Sequence, residues 1–216
     1  MNPICKKSLA VATLALACCG AMAGTVDASG DYLATFTGAQ NADLDVISAN
    51  VLFNPNSHIF SLTGTMGGNI GTTPNAVYVW GVNRGLGTAG FASIGATGVL
   101  FDMVIAINGA TGAVTITDRA PNPIATFNLA AGSAHFDGAT VSLDLDESWL
   151  PGRGFSVDQY TWNLWPRDSR VAGTAAISDF APNNSNFATT VPEPASALLA
   201  LLGLGLAAGA RRRQAQ

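Results

Sequence analysis

Between its two ends the chain has no long stretch with an apolar repeat of 3.6 residues. Its apolar residues recur instead at every second position, in short runs rich in Val, Ile, Thr and Phe, and the runs are punctuated by Gly, Asn, Pro and Asp. Side chains alternate across a strand, so this period predicts half-buried strands rather than amphipathic helices. The candidate strands are Tyr32–Thr37, Asp45–Phe53, His58–Thr65, Ala76–Val82, Phe91–Ile94, Val99–Ile107, Ala113–Thr117, Ile124–Leu129, Thr140–Leu145, Gln159–Leu164 and Val171–Ile177. Asn108-Gly109-Ala110-Thr111-Gly112 falls between two of them and reads as a hairpin loop. So many short strands predict an all-β domain, an antiparallel β-sandwich or a related barrel. No repeat is long and regular enough for a solenoid.

Charge narrows the partners. The chain has 216 residues, of which only 11% are charged. Gly24 to Thr190 contains no lysine; its five arginines face thirteen acidic residues, a net charge of −8. A phosphate backbone would be repelled, so no nucleic acid is expected as a partner. The three cysteines, Cys5, Cys18 and Cys19, all lie before Gly24, so the core must hold without disulfides.

The first 23 residues read as a signal peptide for the Sec machinery and signal peptidase. Lys6 and Lys7 form the basic start, Leu9 to Cys19 the apolar stretch, and Ala21-Met22-Ala23 the small-residue cleavage site before Gly24. A lipoprotein signal ending at Cys18 or Cys19 is the competing reading. At the other end, residues 195–210 are apolar except for Ser196 and run directly into Arg211-Arg212-Arg213. As a helix they would span on the order of 24 Å, a short transmembrane helix whose arginines mark the cytoplasmic side. Residues 181–190, APNNSNFATT, read as a polar linker, which leaves 24–180 as the extracytoplasmic β domain.

Val191-Pro192-Glu193-Pro194-Ala195 stands immediately before that apolar run. Pro-Glu-Pro, a short Ala/Leu/Gly helix and a terminal arginine cluster together resemble the PEP-CTERM sorting signal of Gram-negative bacteria. The resemblance covers 191–213 and implies exosortase as a partner, which recognises Val191, Pro192, Glu193 and Pro194 and removes the tail. It also implies a transient inner-membrane anchor, a final place at the cell surface or in extracellular matrix, and the company of exopolysaccharide. The prolines themselves keep Glu193 extended and out of the helix. A plain single-span anchor is the alternative. The layout of Ala76–Trp80, a Gly-rich loop, Val99–Ile107 and a late Phe/Trp strand is similar to the CHRD family of extracellular β domains. That family's central histidines are replaced here by Tyr78 and Trp80, so no residue role follows.

Chemistry inside the domain is sparse. There are two histidines, and His135-Phe136-Asp137 sets an imidazole and a carboxylate on one strand face. No serine lies in G-x-S-x-G, and the glycines from Gly64 to Gly71 lack the G-K-[ST] of a phosphate loop. No catalytic residue is therefore assigned. Asp144, Asp146 and Glu147, like Asp43 and Asp45, place carboxylates at spacings that can hold Ca²⁺. No other cofactor is expected. Tyr160, Trp162 and Trp165 cluster late in the chain and offer rings that could stack on sugars or fill a core. The expectation is an exported, non-enzymatic protein with a structural or adhesive β domain. A carbohydrate-binding module built on those aromatics is the alternative, and a hydrolase the third reading.

Overall fold

The computed structural model describes residues 24–119 and 125–192. The expected signal peptide and transmembrane helix, and Glu193, Pro194 and Arg211 to Arg213 with them, lie outside the described residues. Within the described residues no helix is long and apolar enough to cross a membrane.

Thirteen strands run through the described residues: β1 (Thr25–Val26), β2 (Val46–Asn54), β3 (Ile59–Met66), β4 (Ala76–Asn83), β5 (Thr88–Phe91), β6 (Ala96–Phe101), β7 (Met103–Asn108), β8 (Val114–Asp118), β9 (Thr126–Leu129), β10 (His135–Asp137), β11 (Thr140–Asp146), β12 (Thr161–Asp168) and β13 (Phe187–Ala188). One sheet has the order β1-β2-β3-β11-β10, a second β13-β12-β4-β7-β8-β9, and β5-β6 form a separate hairpin. Every named pairing is antiparallel. The fold class is the all-β, antiparallel one expected from the period-two pattern.

The two large sheets share one core. Phe53, Phe60, Leu62, Leu143 and Leu145 from the five-stranded sheet pack with Tyr78, Trp80, Ile105, Trp162 and Leu164 from the six-stranded one. Phe60 meets Trp162 with ring centroids 5.6 Å apart and stacks on Tyr160 at 5.8 Å. Gly64 allows this approach, because a Cβ there would sit 2.5 Å from a methyl carbon of Leu164. On its other face the six-stranded sheet carries a second core of Val79, Val99, Phe101, Trp165, Ile177 and Phe180, beneath the β5-β6 hairpin. β4 and β12 are therefore buried on both faces and lose the simple alternation seen in β3.

Several sequence expectations shift at identifiable residues. Val99–Ile107 is two strands, broken at Asp102, whose carboxylate accepts the backbone N–H groups of Arg84 and Leu86. Phe91–Ile94 leaves the strand at Phe91 and turns through a 3-10 segment closed by Gly95 at φ 88°. Gln159 belongs to a 3-10 turn that Ser156 opens with a capping box, so β12 starts at Thr161. Val171–Ile177 is a loop and a 3-10 turn, and Tyr32–Thr37 is irregular chain tied to it by Leu33 N–H to Ser178 O and Thr37 N–H to Ala175 O.

The largest correction concerns 181–190. Expected as a linker, this segment is part of the domain. Ala181 is wholly buried and exchanges both backbone hydrogen bonds with Leu164. β13 pairs with β12, and Thr190 lies parallel to β2 against Leu52. Its asparagines serve the fold: Asn184 and Asn186 accept from Gly98 N–H and Leu100 N–H through their side-chain oxygens. Polar composition signals a solvated linker only where those groups lack backbone partners, and here they have them.

Candidate functional site

Three features bear on function. The first is where the two ends of the described residues meet. β1 pairs with β2 so that Thr25 faces Ala49, and Thr190 bridges Leu52 on the same edge of β2. Thr190 N–H donates to Val51 O at 2.8 Å and Phe53 N–H to Thr190 O at 2.8 Å. The two terminal segments together cover an edge that would otherwise present unpaired backbone groups. Val191 and Pro192 are exposed directly beyond the last of these bonds.

Beside this junction Asp27, Asp31 and Asp179 bring carboxylate oxygens within 4.8 Å of one another. Asp179 is wholly buried and accepts Val46 N–H at 2.9 Å and Phe180 N–H at 2.7 Å. Asn183 donates its Nδ2 hydrogens to Asp31 at 2.9 Å and to Asp27 at 3.4 Å. Oδ2 of Asp27 and Oδ1 of Asp31 are out of solvent and meet no donor. Burial, with Asp31 adding like charge, pushes the Asp27 carboxyl up to about 6. Burial, with Asp27 and Asp31 adding like charge, pushes Asp179 up to about 8. Three hard oxygen donors so placed suit a divalent cation of the calcium type. No local motif announces this cluster, since Asp27 and Asp31 meet Asp179 only through the fold.

The second feature is a trough of about 700 Å³ on the outer face of the six-stranded sheet. Val77 and Val79 of β4 and Val104 and Ala106 of β7 line it, with Phe101 and Trp165 beside them. Arg119 and Arg167 also line it. The Arg119 guanidinium carbon lies 5.8 Å from the Phe101 ring centre. Burial lowers the Arg167 pKa, and its Nη2 donates to Gly173 O at 2.9 Å.

The third is a buried ionic network. Arg84, wholly buried, donates from Nε to Asp102 at 2.7 Å and from Nη2 to Asp118 at 2.8 Å. Arg153 donates to the other oxygen of Asp118 at 2.6 Å. The network ties the end of β4 to β7, β8 and the 151–155 loop, and Arg84 Nη1 adds a bond to Pro151 O at 3.0 Å.

The residues singled out in the sequence fare differently. Tyr160, Trp162 and Trp165 are 1%, 0% and 2% exposed, so they are core and cannot stack on a sugar from solvent. Trp162 spends its indole N–H on Thr189 Oγ1 at 2.8 Å, and Tyr160 its hydroxyl on Leu150 O at 2.8 Å. Asp144, Asp146 and Glu147 do not converge. Asp144 accepts from Ser61 Oγ at 2.6 Å, Asp146 caps the Ser148 N–H at 2.9 Å, and Glu147 meets His58 Nδ1 at 3.2 Å. Asp43 binds the N–H and hydroxyl of Thr73, and Asp45 binds Gly30 N–H and Ser29 Oγ, so both are turn anchors. His135 opens β10 at the edge of its sheet and is exposed.

Comparison with known proteins bears on the junction. Residues 190–214 match the family model of the PEP-CTERM protein-sorting motif. The chain carries a PEP-CTERM sorting tail. Exosortase is thus its processing partner, and the tail directs the protein through membrane-associated sorting toward the cell surface. The match begins at Thr190, the last of the described residues hydrogen-bonded to β2. No curated protein and no solved structure matches the chain.

Proposed function

We propose that this is a cell-surface or extracellular-matrix protein whose β domain does structural or adhesive work and catalyses nothing. On this reading the Sec machinery exports it, signal peptidase cuts before Gly24, and the tail anchors it transiently in the inner membrane until exosortase removes the tail. The sorting motif carries the reading. The geometry supports it: the expected mature start and the tail flank the same edge of β2, with Thr25 opposite Ala49 and Thr190 opposite Leu52, roughly 10 Å apart along the strand. The domain would hang directly at the bilayer, without a free spacer, and cutting the tail would release a folded unit. The deciding experiment is the intact mass of the protein from medium, surface wash and membranes of its host. A species from Gly24 to near Pro192 outside the membrane is expected. A species retaining Arg213, found only in membranes, would sink the sorting reading. Turnover of model glycosides or esters, lost on His135→Ala or Asp144→Ala, would overturn the non-enzymatic part.

A second reading concerns the acidic clasp. We infer that Asp27, Asp31 and Asp179 hold one divalent cation, Ca²⁺ by the hardness of the donors. The buried, donorless oxygens of Asp27 and Asp31 support it. Such an ion would tie the start of the mature chain to the segment that precedes the tail. Native mass spectrometry in CaCl₂ should show one bound ion, lost in Asp27→Asn and Asp31→Asn. An unchanged mass would refute it.

A further inference from the structure

Acidic residues outnumber arginines by thirteen to five between Gly24 and Thr190, so every arginine could have a carboxylate partner. Three do: Arg84 with Asp102 and Asp118, Arg153 with Asp118, and Arg170 with Asp168. Among the described residues Arg119 and Arg167 have no carboxylate within ion-pair distance. Both line the same trough. Asp102 lines it too, but Arg84 already holds both of its oxygens. A half-buried guanidinium without a counter-charge is an unfavourable arrangement for a domain folded for its own sake. It becomes favourable when an anion arrives from outside.

The spacing of the two arginines limits what that anion can be. Arg167 lies on β12 and Arg119 just past β8, and β4 and β7 run between them. Three strand spacings put them roughly 14 Å apart across the sheet. Arg167 is level with Val77 and Asn108, whereas Asp118 is level with Met103 and Arg119 lies one residue further on, so the two arginines are also offset by about six residues, roughly 20 Å, along the strands. No single small anion reaches both. An extended polymer with widely spaced charges does.

The floor between them is apolar: Val77, Val79, Val104 and Ala106. Ser169 and Thr88 bring hydroxyls to the lining. An acyl chain in an open trough would leave one side in water, and a nucleic acid would set a phosphate at every residue against a domain of charge −8. An acidic polysaccharide combines sparse carboxylates, hydroxyls and C–H-rich ring faces. We propose that this trough binds a strand of acidic, uronate-bearing polysaccharide, with Arg119 and Arg167 each pairing with a carboxylate and the valine floor under the intervening rings. The proposal rests on the reading of the protein as extracellular, and gives the adhesive work a location. It also moves saccharide recognition away from Tyr160, Trp162 and Trp165, which the core consumes.

The test is binding of the purified Gly24–Pro192 domain to sodium hyaluronate, which carries a carboxylate on every second sugar, followed by calorimetry in EDTA so that Ca²⁺ cannot bridge domain and polymer. Saturable binding is expected, weakening with salt and absent for neutral dextran. Arg119→Ala, at an exposed position, and Arg167→Gln should each weaken it about tenfold. Arg170→Ala, whose arginine is outside the lining, should leave it unchanged. Melting temperatures of Arg119→Ala and Arg167→Gln within a few degrees of the parent would show that the domain still folds; Arg119→Ala alone decides if Arg167→Gln does not. No binding to hyaluronate, equal binding to dextran, or indifference to Arg119→Ala would overturn the proposal. So would stronger binding to polyglutamate or to anionic phosphatidylglycerol vesicles. Because hyaluronate binding uses purified domain and tail removal is read as mass from the host, either reading can fail without the other.

Discussion

Arg84 holds Asp102 through two separate donors, its Nε at 2.7 Å and its own backbone N–H at 2.9 Å, in a place where the arginine is wholly out of water. Such a pair is costly to break from one side, because the surviving charge stays buried without its partner. Asp102→Asn and Arg84→Ala should each lower unfolding free energy by about 3–5 kcal/mol. Urea denaturation monitored by tryptophan fluorescence measures this. Values under about 1 kcal/mol would mean that the charges escape to solvent when unpaired. Arg153→Ala should cost far less, since its side chain is 42% exposed.

Trp162 is fully buried, touches Phe60, and donates its indole N–H to Thr189. Trp162→Ala should cost about 3–5 kcal/mol, chiefly through the cavity it leaves, since the Thr189 hydroxyl keeps its bond to Tyr160 O at 3.0 Å. Trp162→Phe should recover much of the packing but not the hydrogen bond. Circular dichroism melts of both variants check the order. A Trp162→Ala protein as stable as its parent would contradict the placement of this ring in the core.

How far the sequence spoke depended on whether the deciding contact was local. Strands such as Ile59–Met66 follow from alternation alone, because a half-buried strand must alternate. Trp162 and Trp165 were ambiguous because β12 is covered on both faces, and no pattern within eight residues reports a second covering layer. Asp102 falls inside one expected strand, Val99–Ile107, yet it turns the chain from the hairpin into the six-stranded sheet because Arg84 waits there, 18 residues away. The acidic clasp was illegible for the same reason: Asp27 and Asp179 are neighbours only after Thr25–Val26 and Thr190 dock on β2. The sorting motif was fully legible, since its residues are consecutive in the chain.

The docked 181–190 segment predicts that the domain cannot end at Phe180. A chain stopped there loses β13, the Ala181 bonds to Leu164, and the Thr189 acceptor of Trp162. It also uncovers the edge of β2 at Val51 and Phe53. Gly24–Phe180 should be insoluble or molten, with exposed strand edges, whereas Gly24–Pro192 should melt cooperatively. Amide exchange spectra of the two chains decide the matter; equal protection in both would restore the segment to the status of a linker.

The acidic clasp predicts an unusual dependence of stability on pH. Asp27 and Asp179 titrate in the folded chain near 6 and 8, against 3.8 for an ordinary aspartate. The folded state therefore holds protons that the unfolded state has released. Stability from these groups is complete below about 4 and is lost as pH rises through about 6 and then 8. In EDTA the melting temperature should fall across that window, by the equivalent of about 2 kcal/mol or more. Millimolar Ca²⁺ should reverse the fall at pH 8 and do little at pH 5, where the proton already neutralises the site. Asp27→Asn removes one of the repelling charges, so it should stabilise the EDTA form at pH 8 and abolish the Ca²⁺ response. Melting curves at pH 5 and pH 8, with and without Ca²⁺, separate the alternatives. A response to neither pH nor Ca²⁺ would mean that water enters the cluster and screens it. A pH response without a Ca²⁺ response would leave the carboxylates coupled by a shared proton alone.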